Sequence, residues 1–147
     1  MQLTASVRSI LEQKGGKVHS IAPSDSVYRA IEKMAQLEVG ALLVLDEEQI
    51  VGIVSERDYA RKVILKGHLS RETTVAEIMS SPVIFVGPEY TVAECMKIVT
   101  EHRIRHLPVM RAGLLCGMIS IGDLVNAILS EQSETIRHLE AYITGAG

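Results

Sequence analysis

The chain has 147 residues, of which 47% are hydrophobic and 22% are charged, and its formal net charge is -3. This composition is typical of an ordered globular protein and excludes a disordered chain. The small negative charge gives no overall electrostatic reason to bind nucleic acid or an anionic membrane, and the apolar runs are shorter than the roughly 20 residues of a membrane span.

Residues 1–16 are predicted to form a short amphipathic N-terminal helix. Arg8, Glu12 and Lys14 interrupt its apolar positions, whereas a signal peptide has an unbroken apolar stretch. We therefore expect a cytoplasmic protein that does not associate with membranes.

An internal repeat organises the chain after this helix. Shifting the sequence by 65 residues aligns residues 18–65 with residues 83–130 without a gap. A repeat at a fixed offset is typical of a duplicated unit that buries its apolar face against a neighbouring copy. The identical pairs are Val18/Val83, Pro23/Pro88, Val27/Val92, Leu42/Leu107, Val44/Val109, Gly52/Gly117, Ser55/Ser120 and Asp58/Asp123.

Both copies have the same predicted elements, in the order strand, helix, strand, strand, helix. The first helix begins near Ser26 or at Thr91, and Glu94 completes a capping box with Thr91. Two short runs of branched residues then predict a strand pair, over residues 41–45 and 49–55 and over residues 106–110 and 114–120. The second helix of each copy is expected to turn apolar residues toward the core: Tyr59, Val63, Ile64, Leu124, Val125 and Ile128.

These elements divide the chain into five segments. Residues 17–67 and 83–130 are the two repeats, and residues 68–82 form a packed connector with a capping box from Thr74 to Glu77. Residues 131–147 form an amphipathic C-terminal helix and a tail that frays from residue 145. The predicted fold is α+β (mixed α/β), with two β-α-β-β-α repeats related by pseudo-twofold symmetry and an extra helix at each end.

Several stretches resemble the CBS domain, named after cystathionine beta-synthase, in the tandem arrangement called a Bateman module. The resemblance covers nearly the whole chain, and the run from Ser55 to Gly67 resembles small proteins made only of a CBS pair. It implies a regulatory module that binds an adenosine nucleotide, with AMP or NAD(H) as the first candidates and ATP or ADP as further ones, and that requires no metal. The residues that carry it are Gly52-Ile53-Val54-Ser55-Glu56-Arg57-Asp58, Gly117-Met118-Ile119-Ser120-Ile121-Gly122-Asp123, His102-Arg103-Ile104-Arg105-His106-Leu107-Pro108-Val109 and Glu77-Ile78-Met79.

The Ser-x-x-Asp motif of each repeat lies where a predicted strand ends and a helix begins. Free N–H groups and the hydroxyl of Ser55 or Ser120 suit a phosphate, and the carboxylate of Asp58 or Asp123 can accept hydrogen bonds from both hydroxyls of a ribose. The resemblance implies these roles. The same residues would also serve as a simple helix N-cap with a favourable first-turn carboxylate, so the motif by itself leaves both interpretations open.

Basic residues indicate where phosphates would bind. Arg57 lies in the first turn of its helix, where a cation opposes the helix dipole unless an anion binds nearby, and a solvated surface arginine is the alternative. Arg105 and His106 precede or begin a strand, where CBS proteins similar to this one place phosphate-binding residues, and the first repeat has Gly40 and Ala41 there. We expect Arg57, Arg105 and His106 to serve one common phosphate-binding zone.

For the adenine, the resemblance implies contacts with the first strand of a repeat and with the strand after its first helix. The same positions are also needed for ordinary core packing. They are Ser20, Ala22, Gly40, Ala41, Val86 and Pro108.

Two other kinds of site are disfavoured. Arg61, Lys62 and Lys66 are expected to form a solvated stripe rather than a nucleic-acid site, because aromatic stacking partners are scarce. His102 and His106 lose the geometry of a metal-binding helical pair, because the helix should end between them.

Catalysis is not indicated either, because none of the familiar enzyme motifs occurs in a suitable context. Cys95 and Cys116 lack the spacing of a zinc site and are interpreted as buried apolar residues. An enzyme and a ligand-free dimerisation adaptor remain alternatives to the regulatory module. Under each of them, the family resemblance and the apolar helices imply a homodimer or a tetramer, and the regulatory reading adds an unidentified regulated protein as partner.

Overall fold

The computed structural model describes residues 5–144, without the side chains of residues 133–136, 138, 142 and 144. It confirms the mixed α/β class, with short sheets and with helices in both repeats. In chain order the elements are α1 (Val7–Lys14), β1 (Ser20–Ile21), α2 (Val27–Leu37), β2 (Ala41–Asp46), β3 (Gln49–Ser55), α3 (Glu56–Tyr59), a π-helix (Ala60–Ile64), α4 (Val75–Ile78), α5 (Val92–His102), β4 (His106–Arg111), β5 (Leu114–Ser120) and α6 (Ile121–Thr144).

The segment Val18–Ile84 is one compact unit, which contains the first repeat and the connector. Its sheet has the order β1-β2-β3, with β1 parallel and β3 antiparallel to β2. Residues 41–44 of β2 are all buried, as expected for a central strand that is covered on both faces. The core around this strand includes Val27, Met34, Leu42, Val44, Val54, Val63, Val75 and Ile78.

In the described part of the chain, the second compact unit combines residues 5–17 with residues 85–144. Strands β4 and β5 pair antiparallel, while the predicted first strand of this repeat is reduced to a parallel bridge between Val86 and Val109. Helix α1 therefore completes the second repeat, although it precedes the first repeat in sequence. The buried residues of this unit include Val7, Ile10, Val92, Cys95, Val99, Leu107, Ile119 and Leu124.

Helices α1 and α4 are equivalent elements of the two units. Each begins with a capping box, from Ser6 or from Thr74, and each of these cap residues bridges to the N-cap of the first helix in its own unit, Thr91 or Ser26. The two helices align at an offset of 68 residues, which differs from the 65-residue offset of the repeats. Their backbone hydrogen bonds match one for one: Val7 N to Tyr90 O and Val75 N to Asp25 O, Arg8 N to Pro88 O and Ala76 N to Pro23 O, Val92 N to Ala5 O and Val27 N to Thr73 O.

Two glycines shared by the repeats leave room for these helices. Gly52 lets α4 pack closely on β3, and Gly117 lets α1 pack closely on β5. A Cβ on Gly52 would lie 2.6 Å from the Met79 sulfur, and a Cβ on Gly117 would lie 2.8 Å from Leu11 Cδ2. Since Leu11 and Met79 occupy the same position at the 68-residue offset, both glycines have the same packing role. The structure thus explains the glycines of both repeats by a neighbouring helix rather than by a ligand.

Two predictions of burial in the second helices are wrong. Val63 and Leu124 are buried as predicted, whereas Ile64 is 57% exposed and Val125 is 41% exposed. Consecutive residues of a helix point about 100° apart, so the residue next to a core position faces away from the core.

The C-terminal segments also differ from the prediction. The predicted second helix of repeat 2 and the predicted helix from residue 131 form one continuous helix, α6. The fraying tail predicted for residues 145–147 lies outside the described residues. No helix in the described part of the chain is long and apolar enough to cross a membrane.

The two cysteines differ in exposure. Cys95 is buried, and burial raises the pKa of its thiol to about 11, with a further contribution from the Glu94 charge. Cys116 is partly exposed, so its predicted burial is wrong.

Candidate functional site

In each unit, the start of one strand lies beside the end of its partner and the first turn of a helix. Ala41 pairs with Ser55 in the first repeat, and His106 pairs with Ser120 in the second. The N–H of Glu56 donates to the Gly40 carbonyl at 3.1 Å, and the N–H of Ile121 donates to the Arg105 carbonyl at 2.9 Å. Antiparallel pairing thus brings predicted site residues that are 14 to 15 positions apart in the sequence to one place in each repeat.

In the first repeat, Ser55 and Asp58 form a reciprocal capping box at the start of α3. The N–H and the hydroxyl of Ser55 each donate to Asp58 Oδ2 at 3.0 Å, and the N–H of Asp58 donates to Ser55 Oγ at 3.2 Å. Lys62 Nζ lies 3.1 Å from Asp58 Oδ1 and also donates to the Ile78 carbonyl at 2.9 Å. The Ser80 hydroxyl reaches Asp58 Oδ1 at 3.5 Å. The carboxylate therefore ties α3 to the π-helix and to the connector.

In the second repeat, Ser120 and Asp123 form the matching arrangement at the start of α6. The N–H of Ser120 donates to Asp123 Oδ2 at 2.8 Å, and the N–H of Asp123 donates to Ser120 Oγ at 3.2 Å. Lys14 Nζ on α1 donates to Asp123 Oδ2 at 2.6 Å and to the Met118 carbonyl at 2.9 Å.

The Lys14 contact sets the charge state of Asp123. Burial raises the pKa of this carboxyl, but the hydrogen bonds and charge of Lys14, together with hydrogen bonds from Ser120, outweigh burial and leave the pKa below its ordinary value. The carboxylate form is thereby favoured, as a nearby cation always favours it.

The predicted adenine contacts fall into two groups. Ser20 and Ala22 line a groove of about 340 Å³ together with Asp25, Arg29 and Lys33, and Lys33 Nζ donates to the Ser20 carbonyl. In the other unit, Val86 and Pro108 are buried, and the N–H of Val86 donates to the Pro108 carbonyl at 3.1 Å. The burial of Val86 and Pro108 favours a packing role, which is the alternative that the sequence left open.

The predicted phosphate-binding residues differ in burial. Arg57 is partly buried and Arg105 is exposed, and within the described residues neither side chain has a hydrogen bond or an ion pair. His106 is partly buried at the start of β4. In the predicted solvated stripe, Lys62 is instead held by Asp58 and Ile78.

His102 and His106 do not lie on one helix, as a metal-binding helical pair would require. Helix α5 ends at His102, Arg103 adopts a left-handed conformation with φ 54°, and β4 begins at His106. The expected break between the two histidines is confirmed. Across the described residues, no group of three or more His, Cys, Asp or Glu side chains could hold a metal ion.

Sequence reasoning missed the cations that hold the two aspartates. Lys62 lies four residues after Asp58, and the i,i+4 spacing on one helix face was a usable signal. Lys14 lies 109 residues from Asp123, and it could have been found only by recognising that the segment Ala5–Leu11 matches Thr73–Met79. That match places the end of α1 beside the second repeat.

The two Ser-x-x-Asp corners and their matched supporting helices describe a duplicated domain, and a known family has that domain. The model of the CBS domain matches residues 7–65 and 75–130. The chain belongs to the CBS-domain family. The two matched segments begin at α1 and at α4, in agreement with the 68-residue equivalence of these helices.

Relatives with known names or structures resemble this CBS pair over most of its length. The mitochondrial CBS domain-containing protein CBSX3 of Arabidopsis thaliana is 43% identical over 82% of this chain, which spans only 61% of the length of that protein. A solved CBS-domain protein from Burkholderia ambifaria MC40-6 is 47% identical with a TM-score of 0.84, covering 87% of this chain and 96% of that chain. A hexameric CBS-CP12 protein from bloom-forming cyanobacteria is 30% identical with a TM-score of 0.75, covering 84% of this chain and 68% of that one. CBS-pair proteins are commonly regulatory.

Proposed function

We propose that this CBS pair is a regulatory module that binds an adenosine nucleotide, AMP or NAD(H) first and ATP or ADP as alternatives, and that it is not an enzyme. The observation that carries the proposal is the corner formed in both repeats by a strand end, a Ser-x-x-Asp motif and the start of the neighbouring strand. The same polar geometry built twice from sequences that otherwise diverge supports a common ligand chemistry.

Each corner offers the groups that a nucleotide requires. The carboxylate of Asp58 or Asp123 accepts hydrogen bonds from ribose hydroxyls, and the serine hydroxyl with nearby N–H groups suits a phosphate oxygen. Arg57 and Arg105 have no ion pair within the described residues and are therefore available to bind phosphates. His106 lies beside Arg105, and the partly exposed residues Ser20, Ala22 and Gly40 offer surfaces for the base.

Regulation requires that the nucleotide favours one conformation or assembly that a partner protein can recognise. A ligand shifts such an equilibrium only by its differential affinity for the two states. The partner is therefore expected to bind the nucleotide-loaded and the empty module with different affinity, and pull-down of purified candidate proteins with and without nucleotide would measure this difference.

Self-association is part of the proposal and has a surface on α6. The exposed apolar residues Ile121, Val125, Leu129, Leu139 and Ile143 lie within about 80° of each other around the helix, at roughly 100° per residue. Such a stripe supports a homodimer or a tetramer, and the hexameric cyanobacterial relative assembles as well. In sedimentation, Val125→Glu with Leu129→Glu should reduce the mass toward 16.1 kDa, and a wild-type mass near that value would contradict self-association.

Calorimetric titration with AMP, ADP, ATP, NAD⁺ and NADH tests nucleotide binding. We expect saturable binding of at least one of them, together with a rise in the thermal transition, because a ligand that binds only the folded state stabilises it. Asp46→Asn, which changes an exposed carboxylate at the end of β2, is the matched control for substitutions of the two site aspartates. Failure of all five nucleotides to bind at millimolar concentration would refute the proposal, and turnover of a bound nucleotide would refute its non-enzymatic part.

A ligand-free dimerisation adaptor is the second candidate function. It is favoured by one observation, that Asp58 and Asp123 already bind lysines and helix N–H groups, as residues with a purely structural role would. A thermal transition that no nucleotide shifts, in a protein that still dimerises, would support the adaptor.

Cytoplasmic location remains a prediction. Fractionation of cells that express the tagged chain is the test.

A further inference from the structure

The loop that joins the π-helix to α4 begins with a run of exposed residues, several of them apolar. Residues 64–69 are all exposed, and three of them are large aliphatic residues: Ile64 at 57%, Leu69 at 62% and Leu65 at 78%. Single exposed apolar residues are normal in a soluble protein, whereas a contiguous group is typical of an interaction site. Leu65 and Leu69 are four positions apart, so their Cα atoms are at most about 14 Å from each other. The loop therefore offers a candidate contact surface.

Backbone hydrogen bonds hold this loop in place although most of its side chains are exposed. At its start, the N–H of His68 donates to the carbonyl of Val63 at 3.0 Å, and Val63 is itself buried. Further along, the carbonyl of Ser70 accepts a hydrogen bond from the N–H of Tyr28 on α2 at 2.9 Å. A surface whose backbone is already ordered loses less conformational entropy when a partner binds.

The same part of the chain is basic. Residues 59–71 contain four Lys or Arg residues and no Asp or Glu, in a chain whose net charge is -3. Lys62 is held by Asp58. In the described part of the chain, the other three are exposed and have no ion pair: Arg61, Lys66 and Arg71. The loop thus combines exposed aliphatic side chains with cations that can bind carboxylates.

An acidic polypeptide segment with aliphatic side chains suits this surface better than other anionic partners do. Nucleic-acid bases stack on aromatic rings, but the nearby ring of Tyr28 is covered by the Arg71 guanidinium, 3.9 Å from its centre. Basic clusters that bind anionic membranes contain about four to eight Lys or Arg residues, and here an exposed acid, Glu72, directly follows Arg71. A polypeptide can place single carboxylates against single cations and avoid Glu72.

A second copy of this chain is a poorer fit. In a twofold dimer the same patch of both subunits meets itself, which would bring Lys66 close to like charges. The apolar stripe assigned to self-association includes Leu129, and its equivalent at the 65-residue offset is Ile64. The next position differs between the repeats, because Leu65 corresponds to Ser130. We therefore exclude Ile64 from the docking surface and retain Leu65.

We propose that Arg61, Leu65, Lys66, Leu69 and Arg71 form a docking surface for an acidic, aliphatic segment of the regulated partner protein. This inference rests on the proposed function, to which it adds the place and the chemistry of partner binding. Aliphatic side chains of the partner bury the leucines, and its carboxylates pair with the cations. The surface belongs to one compact unit and contains none of the predicted nucleotide-site residues, so the two kinds of binding can be measured separately.

Fluorescence anisotropy with labelled peptides tests the surface on the full-length chain. The first peptide consists of glutamate, leucine and alanine, the second has lysine in place of glutamate, and the third has serine in place of leucine. We expect saturable binding of the first peptide alone. Leu65→Ser with Leu69→Ser, and Arg61→Glu with Lys66→Glu, should each weaken this binding by about tenfold or more. The charge-reversed variant should in addition bind the lysine peptide, because the complementary charges are exchanged.

The matched control changes the same two residue types elsewhere. Arg111→Glu with Leu114→Ser replaces an exposed cation and an exposed leucine at the turn between β4 and β5. Its affinity for the acidic peptide should stay within about threefold of the wild type. Circular dichroism verifies that each variant is folded, sedimentation reports its mass, and calorimetry with AMP and NADH reports its nucleotide affinity. Mass and nucleotide affinity should match the wild type in every variant.

The expected result is that both loop variants lose the acidic peptide, that the control retains it, and that charge reversal exchanges the preferred peptide. The docking surface is overturned if the acidic peptide does not bind at millimolar concentration, if the loop variants bind it as the control does, or if the leucine variant loses self-association. Tighter binding of phosphatidylserine vesicles or of a single-stranded oligonucleotide at this surface would overturn it as well. A chain that binds the peptide but no nucleotide refutes the nucleotide part of the proposed function and leaves the docking surface intact.

Discussion

Helix α1 should contribute to stability as a core element of the second repeat, and Val7→Ala measures that contribution. Val7 is completely buried, and its N–H donates to the Tyr90 carbonyl at 2.9 Å. The substitution removes two buried methyl groups and leaves a small cavity, which together cost about 2 kcal/mol of unfolding free energy. For a chain of this size, the thermal midpoint should fall by about 4–8 °C.

Urea unfolding followed by circular dichroism is the appropriate assay. Val75→Ala provides the matched comparison, since Val75 is the equivalent of Val7 on α4 and is also completely buried, and its cost should be similar. Arg8→Ala, on the exposed side of α1, is the control and should change stability by less than about 0.5 kcal/mol. If Val7→Ala behaves like Arg8→Ala, α1 is a loosely attached leader, and its equivalence to α4 is wrong.

Three further predictions concern single contacts. Gly16→Ala should destabilise the chain by about 1–3 kcal/mol, because its Cβ would lie 2.5 Å from the Cys116 carbonyl oxygen, and normal thermal stability of this variant would contradict the close packing. Thr91→Ala should cost about 1 kcal/mol by removing the N-cap of α5, measurable in the same urea assay. Lys14→Met should raise the pKa of Asp123, which carboxyl NMR titration reports. Because the pKa of Asp123 is lower in the folded state, this carboxylate stabilises the fold above its unfolded pKa, and the stabilisation is lost as the pH falls through the folded pKa. Lys14→Met should therefore weaken the dependence of stability on acid pH. An unchanged pKa in this variant would show that the ion pair does not form in solution.

The repeat could be predicted from the sequence because its signals are local or lie at one constant offset. Local residues predict these elements without any information about tertiary contacts. Ser26 and Thr91 predict helix starts, and the run of branched residues predicts β2. The position of Ser55 and Asp58 at the start of a helix could also be predicted, because the strand, the motif and the helix are contiguous in the chain. The sequence could not show that the predicted second helix of repeat 2 and the predicted C-terminal helix are one helix, α6. No helix-breaking residue lies near residue 130, so the sequence there is compatible with one helix or with two.

The state of the two aspartates could not be predicted, because their partners come from elsewhere. Ser-x-x-Asp suits a ligand and a capping box equally well, and the choice depends on which cations lie near. Lys62 is a near neighbour of Asp58 in sequence, but Lys14 reaches Asp123 only because α1 packs on the second repeat. The exposure of Val125 and Ile64 has the same origin, since burial depends on what packs against each helix face.

By itself, the sequence determined the duplication, the order of the elements and the positions of the serine and aspartate corners, because caps, periodicity and a constant offset are properties of neighbouring residues. Only the tertiary structure decided that α1 belongs to the second repeat, that Gly52 and Gly117 make room for a helix, and that Lys14 binds Asp123. These features depend on contacts between segments far apart in the chain, and such contacts form only when burial of apolar surface brings the segments together.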